Sequence, residues 1–501
     1  MKSEKMKNEK LKHLFALTFA FLLCVCGAKA QEVPSESLKE LSKSGSAQFY
    51  SFNYPSKGTG GEDVVLSSLL IAWMPKNATD SIEALHIYSH YTITADKECP
   101  SLDLGFQNKL LFGTLVSNSH SVVIAPDYEG YGVSKDRSHP YLSEELTAQQ
   151  VVDGVEYGMM LYQKLVDDSR ASAFRSDWRS YSYGFSQGGA VALAVHRHIE
   201  QNDLSDELRF RGSICGDGPY DLLATLQYYI NDDGTSYGTS TDHRKGMIAL
   251  PMVIPMIIKG MLDTHPDMQT HTLEDYLSQQ FLDTGIMDWL ASKQYSTGDI
   301  SKKWYQQLKN GLTANGRHYT PQQMAELFYS PSTNNVWARL DKVFTPGFYE
   351  YIANDNPDAP PAYTDIRRAM TDNSVCEGWE PQHRIQFVHA KGDMVVPYGN
   401  FLAFRDAHPE DEGDLFRIDD SPTSTDHSTV GVEFFMSLAG GSYNKHFQWL
   451  DESPATGVEP DLAICHLPFD DAWYDLSGRR LNGRPTSKGI YVFKGKKIAV
   501  K

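Results

Sequence analysis

Hydrophobic positions change period several times along this chain. From about Asp63, runs rich in β-branched and aromatic residues alternate with stretches of helical spacing. Val64 to Met74 and Ala84 to Tyr91 are of the first kind. Ser121-Val122-Val123-Ile124-Ala125 is a continuous apolar run that stops at Pro126-Asp127, the pattern of a strand buried on both faces. Between Glu144 and Val166 the apolar residues Val152, Val155, Met159, Tyr162 and Val166 fall three or four apart, which predicts a helix. Ser180 to Gly184 predicts a strand running into a helix over Gly189 to Glu200. Arg209 to Cys215 and Ile385 to His389 predict two more strands. Such alternation points to the α/β class, with a mainly parallel sheet flanked by helices.

The order breaks between about residues 220 and 380, where strand signals are few and helical ones several. This reads as a helical cap insertion. Its distinctive piece is Gly246 to Ile258, where methionines and isoleucines surround Pro251 and Pro255. Two readings stand side by side: a lid whose adaptable methionines meet an apolar ligand, or a buried helix that never does. Two prolines and the closing Lys259 argue against a membrane span. Residues 452–460, rich in Pro, Ser and Gly, read as a linker that ends a main domain over residues 31–451. In the last unit, 461–501, apolar pairs flank Lys494-Gly495 and predict a terminal hairpin.

Charge narrows the function classes. The chain of 501 residues carries a formal net charge of −18, and losing the first thirty residues leaves about −22. So acidic a surface repels nucleic-acid backbones, and no basic groove with interleaved aromatics opposes it. Leu476 to Lys501 reverses the trend, with eight Lys or Arg and no acid. The N-terminus predicts an export signal over residues 1–30: a Lys-rich stretch, apolar Leu14 to Val25, then Ala28-Lys29-Ala30 before Gln31. Export leaves Cys99, Cys215, Cys376 and Cys465 and permits one or two disulfides among them. No CxxC pair or HExxH helix is present, so neither a metal nor a cofactor is expected.

The candidate chemistry centres on Gly184-Phe185-Ser186-Gln187-Gly188-Gly189. A serine hydroxyl is a weak nucleophile and must project toward both a base and a carbonyl. A sharp strand-to-helix turn achieves this, glycines letting strand and helix approach, while the helix aims its first amides at developing negative charge. Ser186 is the expected nucleophile. An acid and then a histidine should follow in chain order. Asp393, in the loop after the strand at Ile385, is the expected orienting acid, with Asp419 and Asp420 as reserves. His427, in Asp426-His427-Ser428, is the expected general base; His389 and His90 do not follow the acid. The oxyanion donors are expected from the amides of Gln187 and Tyr91.

With these residues in place, the chain from about Asp63 to Leu450 resembles the α/β-hydrolase superfamily, and within it secretory lipases and exported esterases. Ala125 to Gly132 resembles that group's loop after its fourth strand, and Tyr91-Thr92 with Glu98-Cys99-Pro100-Ser101 its oxyanion loop. The Gly184 to Gly189 elbow, Gly392-Asp393 and Asp426-His427 match its triad positions. The resemblance implies the α/β-hydrolase fold, a triad of Ser186, Asp393 and His427, and cofactor-free hydrolysis of lipid or other carboxylic esters. One departure is that Tyr91 follows His90 where many esterases carry a glycine-rich HGGG run. Trp473 to Leu481, with the basic end Gly495 to Lys501, is similar to sorting domains of type IX secretion. That implies a partner in the secretion machinery and a location at the cell surface or outside. A peptidase of the same fold, and a binding protein on an inert hydrolase scaffold, are the rival readings.

Overall fold

The computed structural model describes residues 34–75, 80–102, 105–233, 244–354, 358–422, 424, 426–439 and 443–452. Nearer the C-terminus it describes 485 and the short strands at 473–474, 480–481, 489–493 and 496–500. The export signal over 1–30, the linker beyond residue 452, and Cys465 lie outside the described residues. Two compact units divide between Asp451 and Glu452.

The first unit is built on one sheet of nine strands. In chain order these are β1 (Lys39–Ser44), β2 (Ala47–Lys57), β3 (Asp63–Trp73), β4 (Ile82–Ser89), β5 (Ser121–Pro126), β6 (Phe174–Phe185), β7 (Phe210–Gly216), β8 (Arg384–Val388) and β9 (Phe416–Asp419). Their spatial order is β1-β2-β3-β5-β4-β6-β7-β8-β9. The first four of these neighbours pair antiparallel. From β5 onward every pair is parallel. Parallel strands need crossovers, and helices supply them: α1 (Gly105–Ser119), α2 (Glu144–Asp167) and α3 (Gln187–Gln201). The exchange of β4 and β5 in space puts a reversal of winding direction beside β4 and β6, where open α/β sheets hold their ligands.

Burial explains the strand pattern. All six residues of β5 are buried, as are the last six of β6, whose first six are not. The sheet is therefore driest where β4, β5 and β6 end together. The two N-terminal strands extend the sheet beyond the expected start at Asp63. Their side chains explain why: Phe49, Phe52 and Tyr54 of β2 are all buried in the core.

Between β7 and β8 lies the insertion, mainly helical, with helices Leu222–Asn231, α4 (Val253–Thr264), Thr297–Asn310, Pro346–Asn354 and Pro361–Asp372. It also holds short antiparallel strands, Phe328–Ser332 beside Asn335–Arg339 and Leu312–Ala314 beside Arg317–Tyr319, which its weak period-two signal did not reveal. Around α4, Met252, Ile254, Met256, Ile257, Ile258 and Met261 are buried in the core. After β8 come α5 (Gly399–Ala407), then β9, α6 (His427–Ala439) and α7 (Tyr443–Asp451).

No disulfide joins the described cysteines, and Cys465 lies outside the described residues. Cys99, Cys215 and Cys376 are free thiols, each buried in its own surroundings. Burial pushes the Cys215 thiol up to about 12, so it is inert as a nucleophile at neutral pH.

The second unit holds a small antiparallel sheet in the order Arg480–Leu481, Trp473–Tyr474, Gly489–Phe493, Lys496–Val500. The last two strands pair from Gly489↔Val500 to Phe493↔Lys496.

Candidate active site

Ser186 stands between β6 and α3 with φ 60° and ψ −127°. A side-chain-bearing residue avoids that region, so the turn is strained and its neighbours must hold it. The Ser186 amide donates to the Gly216 carbonyl at 2.9 Å, and the Ser186 carbonyl accepts from the Gly189 amide at 2.8 Å. The glycines are required by space. A Cβ on Gly184 would run into the Gly188 carbonyl, one on Gly188 into that of Ser89, and one on Gly189 into that of Gly216. Strands β4, β6 and β7 thus converge on the turn with nothing but backbone between them.

His427 opens α6. Its Nδ1 donates to Asp393 Oδ2 at 2.5 Å. Asp393 follows β8 in a loop and is almost fully buried. Its other oxygen, Oδ1, accepts from the amides of Val395 at 2.7 Å and Val396 at 3.1 Å. Burial would raise the Asp393 pKa, but the imidazole of His427 opposite it prevails and holds the group below its ordinary value. An ionised acid accepting from Nδ1 leaves His427 Nε2 as the basic nitrogen. That nitrogen is buried and has no hydrogen-bond partner among the described residues.

Phe185, the residue before Ser186, touches His427. The Phe185 ring packs on the His427 ring with centroids 4.7 Å apart, and Gly431, one turn into α6, meets the same ring. No hydrogen bond joins the serine hydroxyl to the imidazole in this structure. The reserve acids are occupied elsewhere: Asp419 accepts from the Ser421 amide at 3.1 Å, and Asp420 pairs with Lys391 at 2.5 Å.

Gln187, first residue of α3, is buried, and its Nε2 donates to His139 Nε2 at 3.0 Å. Burial holds His139 well below its ordinary pKa, so it is neutral, and its Nδ1 donates to the Glu129 carbonyl at 2.8 Å. Tyr91 lies in the loop directly after β4. Its carbonyl is 2.7 Å from His90 Nδ1, and His90 stacks on Tyr128 with centroids 3.9 Å apart. Burial lowers His90 to about 4 and His389 likewise, so neither is charged at neutral pH. Both sit in the wall of the site as neutral rings.

Two carboxylates here escaped sequence reasoning. Asp127, in the loop after β5, accepts from Ser67 Oγ at 2.5 Å, from the Ser101 amide at 2.8 Å and from Ser101 Oγ. It ties its own loop to strand β3 and to the loop holding Ser101, and burial raises its pKa to about 6. Asp217 follows β7 with φ 35°, is fully buried, and adjoins Asp393. Its signal was present in Cys215-Gly216-Asp217-Gly218, an acid at a strand end of the same kind as Asp393.

No family model and no curated protein matches the sequence. Solved structures do match. The rice cell wall degrading esterase LipA from Xanthomonas oryzae superposes with a TM-score of 0.57 at 19% identity, over 81% of this chain and 92% of that one. The chain has the α/β-hydrolase fold. A putative hydrolase from Legionella pneumophila shares this fold with a TM-score of 0.56 at 15% identity, covering 82% of this chain and 90% of that one. Candida antarctica lipase A does so with a TM-score of 0.52 at 15% identity, covering 85% and 83%. At such identities the likeness is one of fold. Within this fold Ser186 directly follows the C-terminal end of β6, Asp393 lies in the loop after β8, and His427 opens the helix after β9.

Proposed function

We propose that this protein is an exported serine hydrolase of carboxylic esters, with Ser186, His427 and Asp393 as its triad. The observation that carries the reading is the 2.5 Å bond from His427 Nδ1 to a buried Asp393, which leaves Nε2 as the basic nitrogen of a ring packed on Phe185, the residue before the strained Ser186.

In this mechanism Ser186 Oγ attacks the acyl carbonyl while His427 Nε2 takes its proton. The tetrahedral oxyanion is met by the amides of Gln187, at the start of α3, and of Tyr91. Collapse expels the alcohol, which receives the proton from His427, and leaves an acyl-enzyme on Ser186. Water then gives a proton to His427 and its oxygen to the acyl carbon, releasing the acid and restoring the serine. Asp393 keeps the imidazole in the right tautomer throughout. No cofactor enters any step.

Export rests on the signal-like residues 1–30 and on the basic tail that resembles a type IX sorting domain, whose partner is the secretion machinery. Among the described residues no helix is long and apolar enough to cross a membrane. An ester panel of increasing acyl length, run beside aminoacyl anilides, tests the reading. Ester turnover that vanishes in Ser186→Ala supports it. Anilide turnover exceeding that of every ester points to a peptidase, and no turnover of either class overturns the proposal.

A further inference from the structure

Away from the triad, His408 presents an imbalance. The residue caps the C-terminus of α5, is 4% exposed, and its Nε2 donates to the Cys376 carbonyl at 2.8 Å. That bond fixes the tautomer of the neutral ring, so Nδ1 carries a bare lone pair. Nδ1 is buried and has no hydrogen-bond partner among the described residues. What it faces is negative. Glu380 Oε2 lies 3.7 Å away, and a carboxylate oxygen of Asp411 completes a group whose atoms all lie within 4.8 Å of one another. An unpartnered imidazole nitrogen between two carboxylates is a concentration of acceptors that a proton or a metal cation balances.

We propose that Glu380, His408 and Asp411 form a structural site for a divalent transition-metal ion, with zinc as the ion that suits them. Four independent features support this. The donor set of one imidazole and two carboxylates is one that zinc accepts. Zinc ligands at their usual bond lengths stand about 3.3 Å apart in a tetrahedron, so a 3.7 Å separation, long for a hydrogen bond, is close to that of two ligands sharing one ion. The Cys376 carbonyl plays the part that outer partners of metal-bound histidines play, donating nothing and holding the ring. Finally, the C-terminus of α5 puts the negative end of a helix dipole at the site. A cleft of about 400 Å³ lined by Trp379, Glu380 and His408 gives access for the ion and for a water as fourth ligand.

The site is assembled in space from two segments, 376–380 ahead of β8 and 408–411 directly after α5, so no motif in the sequence announces it. It joins the end of the insertion to the helix that follows the Asp393 loop. α5 is nine residues long, which separates its ends by roughly 13 Å and keeps the ion away from the acid loop. The ion is therefore a clamp and takes no part in hydrolysis. A second grouping, His196, Glu200 and His383, lacks the same imbalance: Glu200 Oε1 already meets His196 Nε2 at 2.9 Å and His383 Nδ1 at 2.7 Å, and accepts from the His383 amide at 2.8 Å.

The test is zinc titration of the full chain after chelator treatment and desalting, followed by calorimetry and by the fluorescence of Trp379, whose ring lies 6.3 Å from that of His408. One ion per chain is expected, with a rise in the unfolding temperature. Glu380→Gln and Asp411→Asn should each weaken binding by at least about tenfold. Glu380 is 88% exposed, so its variant folds, and its ester hydrolysis should equal that of the parent. Failure of the parent chain to bind zinc overturns the proposal. So does binding of equal strength in the two variants, which would move the ion to another group such as that of His196.

Discussion

Asp217 and Asp393 stand side by side, both buried, and their surroundings push them in opposite directions, Asp217 up and Asp393 down. Burial and the neighbouring Asp393 charge push Asp217 well above the carboxylate range. Its Oδ1 accepts from the Ala390 amide at 3.1 Å, while its Oδ2 has no protein donor. The two side chains interact directly, and that contact raises Asp217 while it lowers Asp393. One carboxyl group is thereby kept neutral to support the other, which supports His427.

Opposite outcomes follow for the two asparagine variants. Asp217→Asn replaces one neutral donor by another and should keep activity within about tenfold of the parent, since near-isosteric exchanges at a neutral group disturb little. Asp393→Asn removes the charge that fixes the imidazole and should lower kcat by about 10⁴-fold. Steady-state ester kinetics on both variants check this. Equal losses in the two would show that Asp217 carries the charge.

The elbow glycines give a stability prediction. Gly188→Ala drives a methyl group into the Ser89 carbonyl, a backbone atom that cannot swing aside. A loss of roughly 3 kcal/mol in urea unfolding is expected, with activity falling in parallel. An alanine variant of parental stability and turnover contradicts the close approach of β4 and α3.

Much of this architecture was legible from patterning. Expected strands at Ser121 and Ile385 and helices at Glu144 and Gly189 lie within a few residues of the observed β5, β8, α2 and α3, because buried parallel strands and amphipathic helices have strong, distinct periods. Strand β6 begins six residues before the expected Ser180, since its exposed first half, with Arg175, Asp177 and Arg179, carries no apolar signal. The Gly, Ser and Gly of the elbow were legible because their spacing is dictated by sterics. Asp217 carried only the local signal of an acid at a strand end; its partner lies more than 170 positions away, and sequence spacing is silent about that. The match of Asp393 with His427 rested on chain order and on the strand end before Asp393, and their contact became visible only in three dimensions.

Glu144 gives a pH prediction. Burial raises its carboxyl to about 8, Arg197 offsetting only part of the effect, and neither oxygen has a hydrogen-bond partner among the described residues. The folded pKa lies above the unfolded value of about 4.5, so its contribution to stability is complete below that pH and is lost as pH rises through 8. Glu144→Gln cannot ionise. Its stability relative to the parent should therefore rise between pH 5 and pH 9, by on the order of a few kcal/mol. Chemical unfolding at the two pH values measures the gap, and a gap independent of pH contradicts the buried-acid account.

The central claim is that Ser186 is a nucleophile activated by His427. Reaction of the full chain with a fluorophosphonate, followed by peptide mapping, tests it most directly. The account predicts a phosphonyl group on the peptide holding Gly184 to Gly189, attached at Ser186, absent from Ser186→Ala and strongly slowed in His427→Ala. Labelling at another serine, or undiminished labelling of the Ser186→Ala chain, contradicts it.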